Sequence, residues 1–251
     1  NHTWSFHDSD LSLEQRHLIE PLVVQSWPRH ELRFPNRHRV MGGGYNSVSS
    51  DRLHEIVARE LGDRVLLGAD VVEVRSNGIT LADGETIEAG AVIDGRGDPG
   101  ARHLELGYQN FVGLFVRLES PHGLDGPILM DATVRQIGGY RFVYTLPLSD
   151  RDLLIEDTYY ADEPTLDQER VGDRIRDYAL DHGWTIAEET GTVPVAWEFL
   201  GKDLSHGSSG SIGCEVLYSD GHVEYIKYPG KFPAVRSVAE LSYRFVMQQE
   251  D

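Results

Sequence analysis

Four runs of strand-forming residues follow one another between residues 111 and 160, and no other feature restricts the possible folds as strongly. They are Phe111–Leu118, Ile128–Val134, Tyr140–Pro147 and Leu153–Tyr160, split by turns rich in Pro, Gly and Asp. A meander of this kind implies a mostly antiparallel sheet. It is followed by a predicted helix over Thr165–Gly183, in which Leu166, Val171, Ile175, Tyr178 and Ala179 form an apolar stripe.

The first hundred residues read differently. Leu11–Val24 is expected to be helical, ending near Trp27-Pro28. Glu31–Val40 reads as a strand and Gly42-Gly43-Gly44-Tyr45 as a loop. Ser49-Ser50-Asp51 offers caps for a helix reaching about Leu61, with Leu53, Ile56, Val57 and Leu61 at helical spacing. Short β-branched runs follow at Val65–Leu67, Val71–Arg75 and Gly78–Leu81, and Asp83-Gly84 marks a hairpin turn before Glu85–Ile87. Ala91–Ile93 reads as a buried strand ending in Asp94-Gly95-Arg96-Gly97, and a further turn is expected at Asp220-Gly221. This order predicts an α/β (α+β) fold: a nucleotide-binding layer interrupted by an antiparallel sheet that carries the substrate.

Charge and cysteine usage exclude several classes. A net charge of −18 argues against broad nucleic-acid binding, because phosphate would be repelled. The single cysteine, Cys214, rules out a disulfide framework within the chain and points to a reducing compartment. No apolar run approaches the ~20 residues that cross a bilayer, no signal peptide is visible, and no metal-ligand spacing appears. The first residue is Asn rather than Met, which suggests a missing or processed N-terminus.

Two places carry candidate chemistry. In doubly wound sheets ligands sit beyond the carboxyl ends of strands. There Asp94 could hold a ribose hydroxyl, Gly95 and Gly97 would let a cofactor approach the backbone, and Arg96 could face phosphate. The alternative is a surface turn in which Asp and Gly do only turn work. The second place is Leu153-Leu154-Ile155-Glu156-Asp157-Thr158. Strand side chains alternate, so Glu156 and Asp157 point to opposite faces. Glu156 shares its face with Leu154 and Thr158, and a carboxyl group in apolar surroundings keeps its proton toward neutrality. The alternative is a strand end at solvent with two surface acids. Asp131 is a further acid, or else a turn residue or cap.

Longer blocks carry a resemblance. Asn1–His7 (NHTWSFH), Gly107–Leu114 (GYQNFVGL), Pro121–Leu124 (PHGL), Met130–Val134 (MDATV), Gly139–Leu148 (GYRFVYTLPL) and Leu154–Asp162 (LIEDTYYAD) resemble the bacterial lycopene β-cyclases, from Asn1 to about Val195. Val65–Gly97 also resembles the hairpin segment of FAD-dependent proteins of the glutathione-reductase fold. There a helix with an early Arg, here Ser50-Asp51-Arg52-Leu53, precedes such a segment.

The resemblance implies an incomplete glutathione-reductase-type FAD-binding fold with an antiparallel substrate sheet. Its parts would be a partial FAD-binding domain over 1–110, a substrate-binding sheet and helix over 111–195, and a segment over 196–251 with no family match. The last would be a fusion, a frame change or a divergent end. Gly42-Gly43-Gly44 is not a dinucleotide fingerprint, which is expected before Asn1. Arg52 and Val72 become cofactor neighbours beside Asp94, Gly95, Arg96 and Gly97. Glu156 becomes the candidate catalytic acid or base, with Asp157 and Asp131 supporting it and Tyr140, Phe142, Tyr144, Tyr159 and Tyr160 available to a cation. His2, Trp4 and His7 would border the site, or else serve only in ordinary packing and hydrogen bonding. The implied activity is non-redox cyclisation of the end groups of lycopene to β-ionone rings, with reduced FAD and NAD(P)H as reductant. It would take place in the cytoplasm, peripheral on the inner face of the bacterial membrane. The alternatives are another FAD-dependent monooxygenase or oxidoreductase, and a non-catalytic fragment.

Overall fold

In the computed structural model, residues 3–95, 104–161, 165–203, 213–217 and 223–227 are described, with side chains over 3–95, 108–161 and 165–193. The chain divides into two compact units. One holds Asn1–Gly62 and Gly107–Phe199, the other Asp63–Leu106 and Leu200–Asp251.

The first unit is built on an eight-stranded sheet. Its strands are β1 (Thr3–His7), β2 (Val23–Phe34), β3 (Arg37–Ser49), β7 (Leu104–Leu118), β8 (Ile128–Asp131), β9 (Arg141–Pro147), β10 (Asp152–Ala161) and β11 (Ile186–Asp203). Their spatial order is β1-β3-β2-β8-β9-β10-β7-β11. The meander expected from the sequence is its centre, where β10 pairs antiparallel with β9 on one side and β7 on the other. The β2–β8 pair is parallel.

Helix α3 (Gln168–Asp181) covers one face, as its apolar stripe requires. Val171, Ile175, Tyr178 and Ala179 pack on Val112, Leu114, Val116, Val143, Leu153 and Ile155. The opposite sheet face carries a smaller cluster of Trp27, Tyr45, Leu146 and Leu154, with Phe115, Leu129, Tyr144 and Leu148 against it. The Trp27 indole NH is satisfied by the Pro147 carbonyl at 3.2 Å. Strand alternation therefore sorts β7, β9 and β10 into a helix-covered face and a second face.

The N-terminal third differs from expectation. The helix expected over Leu11–Val24 is only α1 (Leu13–Ile19), because Val23 already begins a strand that pairs with β3. Glu31–Val40 is not one strand but the end of β2, a turn, and the start of β3. The glycine run lies inside β3, where the register with β2 shifts between Trp27 and Arg29. Gly43 and Gly44 take φ of +116° and +68° there, which is the conformational freedom a bulge draws from glycine. Helix α2 (Ser50–Leu61) matches expectation, and Ser49 caps it by accepting from the Arg52 N–H at 3.2 Å. Ser49→Ala should cost about 1 kcal/mol, read as a lowered midpoint in urea.

The second unit holds β4 (Val71–Arg75), β5 (Gly78–Leu81) and β6 (Thr86–Glu88) as an antiparallel sheet turned at Gly84, plus the pair β12 (Gly213–Leu217) and β13 (Val223–Lys227). Val65–Leu67 is not a strand, and neither is Ala91–Ile93, whose Ile93 is 97% exposed. An apolar run becomes a strand only where a neighbour takes its backbone N–H and C=O groups, and no described residue pairs with this one. Among the described residues no helix is long and apolar enough to cross a membrane.

Candidate active site

Glu156 sits at the centre of the face that α3 leaves uncovered. The register places it between Gly113 of β7 and Tyr144 of β9. Gly113 matters because it lacks a side chain. A Cβ there would stand 2.9 Å from Glu156 Cγ, 3.2 Å from its Oε1 and 3.1 Å from Leu154 Cδ1, so the glutamate lies across the space the glycine leaves. Some of the side chain remains at the surface, but the carboxyl is enclosed by protein. Among the described residues it has no cation and no hydrogen-bond donor. Burial alone pushes it up to about 7.

The surroundings of Glu156 are hydroxyls and rings. The Tyr144 hydroxyl lies 3.1 Å from that of Tyr45 and donates to Ser5 Oγ at 3.3 Å; Ser5 Oγ is 2.7 Å from Ser47 Oγ. Burial raises both tyrosines, Tyr144 well above its ordinary value, so they stay neutral donors. The Tyr45 ring meets His7 at 4.8 Å and Trp27 at 6.2 Å between centroids. Buried His30 lies 4.9 Å from His7 and is held below the usual histidine range by burial and then by His7. Farther along, Tyr140, Phe142 and Tyr160 form a triangle of rings 6.0–6.2 Å apart. A neutral acid flanked by aromatic faces can hand a proton to an apolar double bond and tolerate the cation that results.

The structure does not bring the other two acids to this face. Asp157 is fully buried on the α3 side, where Arg141 grips it through Nε at 2.7 Å and Nη2 at 2.9 Å. The Tyr159 hydroxyl donates to it at 2.6 Å, and Arg174 donates to that hydroxyl at 2.7 Å. Tyr159 therefore stands with this ion pair, away from the aromatic residues around Glu156. Burial pushes the Asp157 carboxyl up, and the guanidinium and the tyrosine pull against it. Asp131 accepts from the Tyr178 hydroxyl of α3 at 2.9 Å and from Thr133 Oγ1 at 2.5 Å, with Arg33 at 3.7 Å.

The expected flavin contacts fall in both units. Arg52 lies in the first, with its guanidinium donating to the Pro21 carbonyl at 2.9 Å and to Glu55 at 2.7 Å. Val72, Asp94 and Gly95 belong to the second. Val72 is exposed, and nothing surrounds the Cβ position of Gly95. Arg96, Gly97 and His2 lie outside the described residues. Within each unit the described side chains of this set supply separate contacts rather than a cradle. Among the described residues no group of three His, Cys, Asp or Glu could hold a metal.

Two residues that shape the site carried no signal of their own in the sequence. Gly113 is recognisable only once Glu156 is known to lie opposite. Ser5 sits in the Asn1–His7 block but shows its role only through the β1–β3 pairing with Ser47. Gly113→Ala should displace Glu156 and lower turnover at least tenfold, with a stability cost of about 1–3 kcal/mol from overpacking. Turnover per folded molecule and a thermal melt read the two effects separately.

The fold is a mixed α/β one also found in proteins of known structure. It is similar to a peptidyl tryptophan dihydroxylase, with a TM-score of 0.52 and 13% identity over 80% of this chain and 49% of that one. It is also similar to the tetrameric form of 2-methyl-3-hydroxypyridine-5-carboxylic acid oxygenase, with a TM-score of 0.50 and 16% identity over 79% and 60%. The likeness shows a mixed α/β fold, and this chain covers about half to three-fifths of each of those proteins.

The sequence matches go further than the fold. Residues 1–211 match the family described as lycopene cyclase protein, past the Val195 at which the visible resemblance fades. Lycopene beta-cyclase of Pseudescherichia vulneris is 49% identical over 199 residues, covering 78% of this chain and 52% of the relative. That of Pantoea ananas is 47% identical with the same coverage, and that of a Paracoccus species is 42% identical over 212 residues, 83% and 53%. The chain belongs to the lycopene cyclase family, and it spans about half the length of these relatives.

Proposed function

We propose that this chain carries the acid–base half of a lycopene β-cyclase, closing the end groups of lycopene to β-ionone rings without net oxidation, as an intramolecular lyase or isomerase. The observation behind this reading is Glu156, an acid with no ion pair or hydrogen bond among the described residues, lying on a face of rings and neutral hydroxyls. Protonated Glu156 forms the new C–H bond at a terminal double bond of the polyene. The tertiary cation left behind is attacked by the neighbouring double bond, which closes the ring. A proton then leaves the ring carbon, so that none is gained or lost overall. Tyr144, Tyr160, Phe142 and Tyr140 present faces to the positive charge.

Asp157 and Asp131 support the site by fixing the strands rather than by meeting the substrate. Residues 111–195 are the part that holds the polyene. The resemblance adds reduced FAD and NAD(P)H. Arg52, Val72, Asp94, Gly95, Arg96 and Gly97 remain the candidate contacts, and no step above passes through the flavin. Lycopene is a bilayer solute, so peripheral membrane contact on the cytoplasmic side belongs to the same reading.

The test is expression of the chain in a lycopene-accumulating bacterial host with chromatography and mass analysis of the pigments. The expected products are γ-carotene or β-carotene, equal in mass to lycopene. An oxygenated or dehydrogenated product would overturn the cyclase reading in favour of a monooxygenase or other oxidoreductase. Unchanged lycopene beside soluble protein would reject activity for this chain.

A further inference from the structure

Charge is segregated by strand alternation at the tip of the β2–β3 hairpin. On one face, Arg33 holds Glu31 at 2.8 Å, His38 meets the same carboxylate at 3.0 Å, and Arg33 stands 3.7 Å from Asp131. That face is neutralised. On the other, the register sets Phe34 against Arg37, Leu32 against Arg39 and His30 against Met41. Arg37 and Arg39 are exposed and have no ion-pair partner among the described residues, and Met41 is 38% exposed. β1 pairs with β3 only over Tyr45–Ser49, so no described strand covers Arg37–Gly44 on its outer edge. An edge with two unpaired guanidinium groups among Phe, Leu and Met is unusual in a chain of net charge −18.

The strip also leads somewhere. His30 ends it on the inner side, 5.9 Å from the Tyr45 ring, whose hydroxyl is 3.1 Å from that of Tyr144 beside Glu156. We propose that Leu32, Phe34, Arg37, Arg39 and Met41 seat the protein on the anionic headgroups of a lipid bilayer, with the hairpin tip as the landing edge. Guanidinium groups pair phosphate in a planar fork, while the three apolar side chains enter the boundary between headgroups and acyl chains. The acidic remainder of the chain opposes this only weakly, since charges farther than about 8 Å from the surface are screened at physiological salt. That the strip also delivers an apolar substrate to Glu156 rests on the cyclase reading, whereas lipid binding does not.

The test uses the purified full chain and flotation with vesicles, without substrate. Vesicles of phosphatidylglycerol and phosphatidylcholine should carry the protein upward, and vesicles of phosphatidylcholine alone should not. Arg37→Gln with Arg39→Gln should lower partitioning roughly 25-fold, about fivefold for each charge. Arg59→Gln with Arg117→Gln removes the same charge elsewhere and should leave partitioning unchanged; a thermal melt confirms that each variant is folded. Equal binding by the two double variants would overturn the proposal. So would absence of binding by the parent, or release by millimolar inorganic phosphate, which would mean a soluble anion site. A chain that floats with anionic vesicles but makes no cyclic product would separate this proposal from the catalytic one.

Discussion

Glu156→Gln should abolish cyclisation and, above neutral pH, stabilise the protein. Both effects have one cause. The carboxyl is desolvated, so its proton is retained up to about 7 against an ordinary value of 4.5. Between those values the folded state binds a proton that the unfolded chain has released. The stability contributed by protonated Glu156 is therefore complete below pH 4.5 and lost as pH rises through 7. A shift of this size corresponds to about 3 kcal/mol, discounted to about 2–3 because part of the side chain reaches the surface. Gln is neutral throughout and escapes the loss. At pH 8 the variant should melt roughly 4–12 °C above the parent, and at pH 4 the two should coincide.

Catalysis moves the other way. Gln cannot donate a proton to a double bond, and loss of a general acid costs on the order of 10²–10⁴ in rate. In the parent, turnover should fall as pH rises through about 7, because the ionised carboxylate is not an acid. A variant that keeps a tenth of parental activity, or whose melting does not rise relative to the parent at pH 8, would remove Glu156 from the proposed role. A desolvated acid that weakens its own fold is the usual signature of a site selected for chemistry rather than stability.

The centre of the sheet was readable from the sequence because period-two alternation and turn residues are local properties. Leu153–Tyr160 had to be a strand, and a strand had to part Glu156 from Asp157. What alternation could not supply was which face faces what. Asp157 was expected to assist Glu156, and nothing local in the sequence announces that Arg141, sixteen positions earlier, will clamp it beneath α3. The hairpin of β2 and β3 was missed for a related reason. Its turn is Pro35-Asn36 rather than a glycine pair, and its glycines sit at a bulge, so turn chemistry pointed to the wrong place. Ala91–Ile93 shows the limit of reading apolar runs as strands, since pairing is a property of two segments.

Asp157→Ala should destabilise the protein by about 3–5 kcal/mol, the largest single loss expected in the sheet, because it leaves the Arg141 guanidinium buried without its anion. Arg141→Met combined with Asp157→Leu removes both charges and should recover most of that loss, since a well-packed apolar pair is about as stable as a buried ion pair. The consequence for function lies in register. A one-residue slip of β10 would turn Glu156 toward α3 and bring Asp157 to the aromatic face. The cost of parting Asp157 from Arg141 opposes that slip, so the ion pair holds the acid in place from the far side of the sheet. If this is its whole role, turnover per folded molecule, measured well below the melting temperature, should be near parental in the double variant. A folded double variant with restored stability and no turnover would instead place Asp157 in the chemistry.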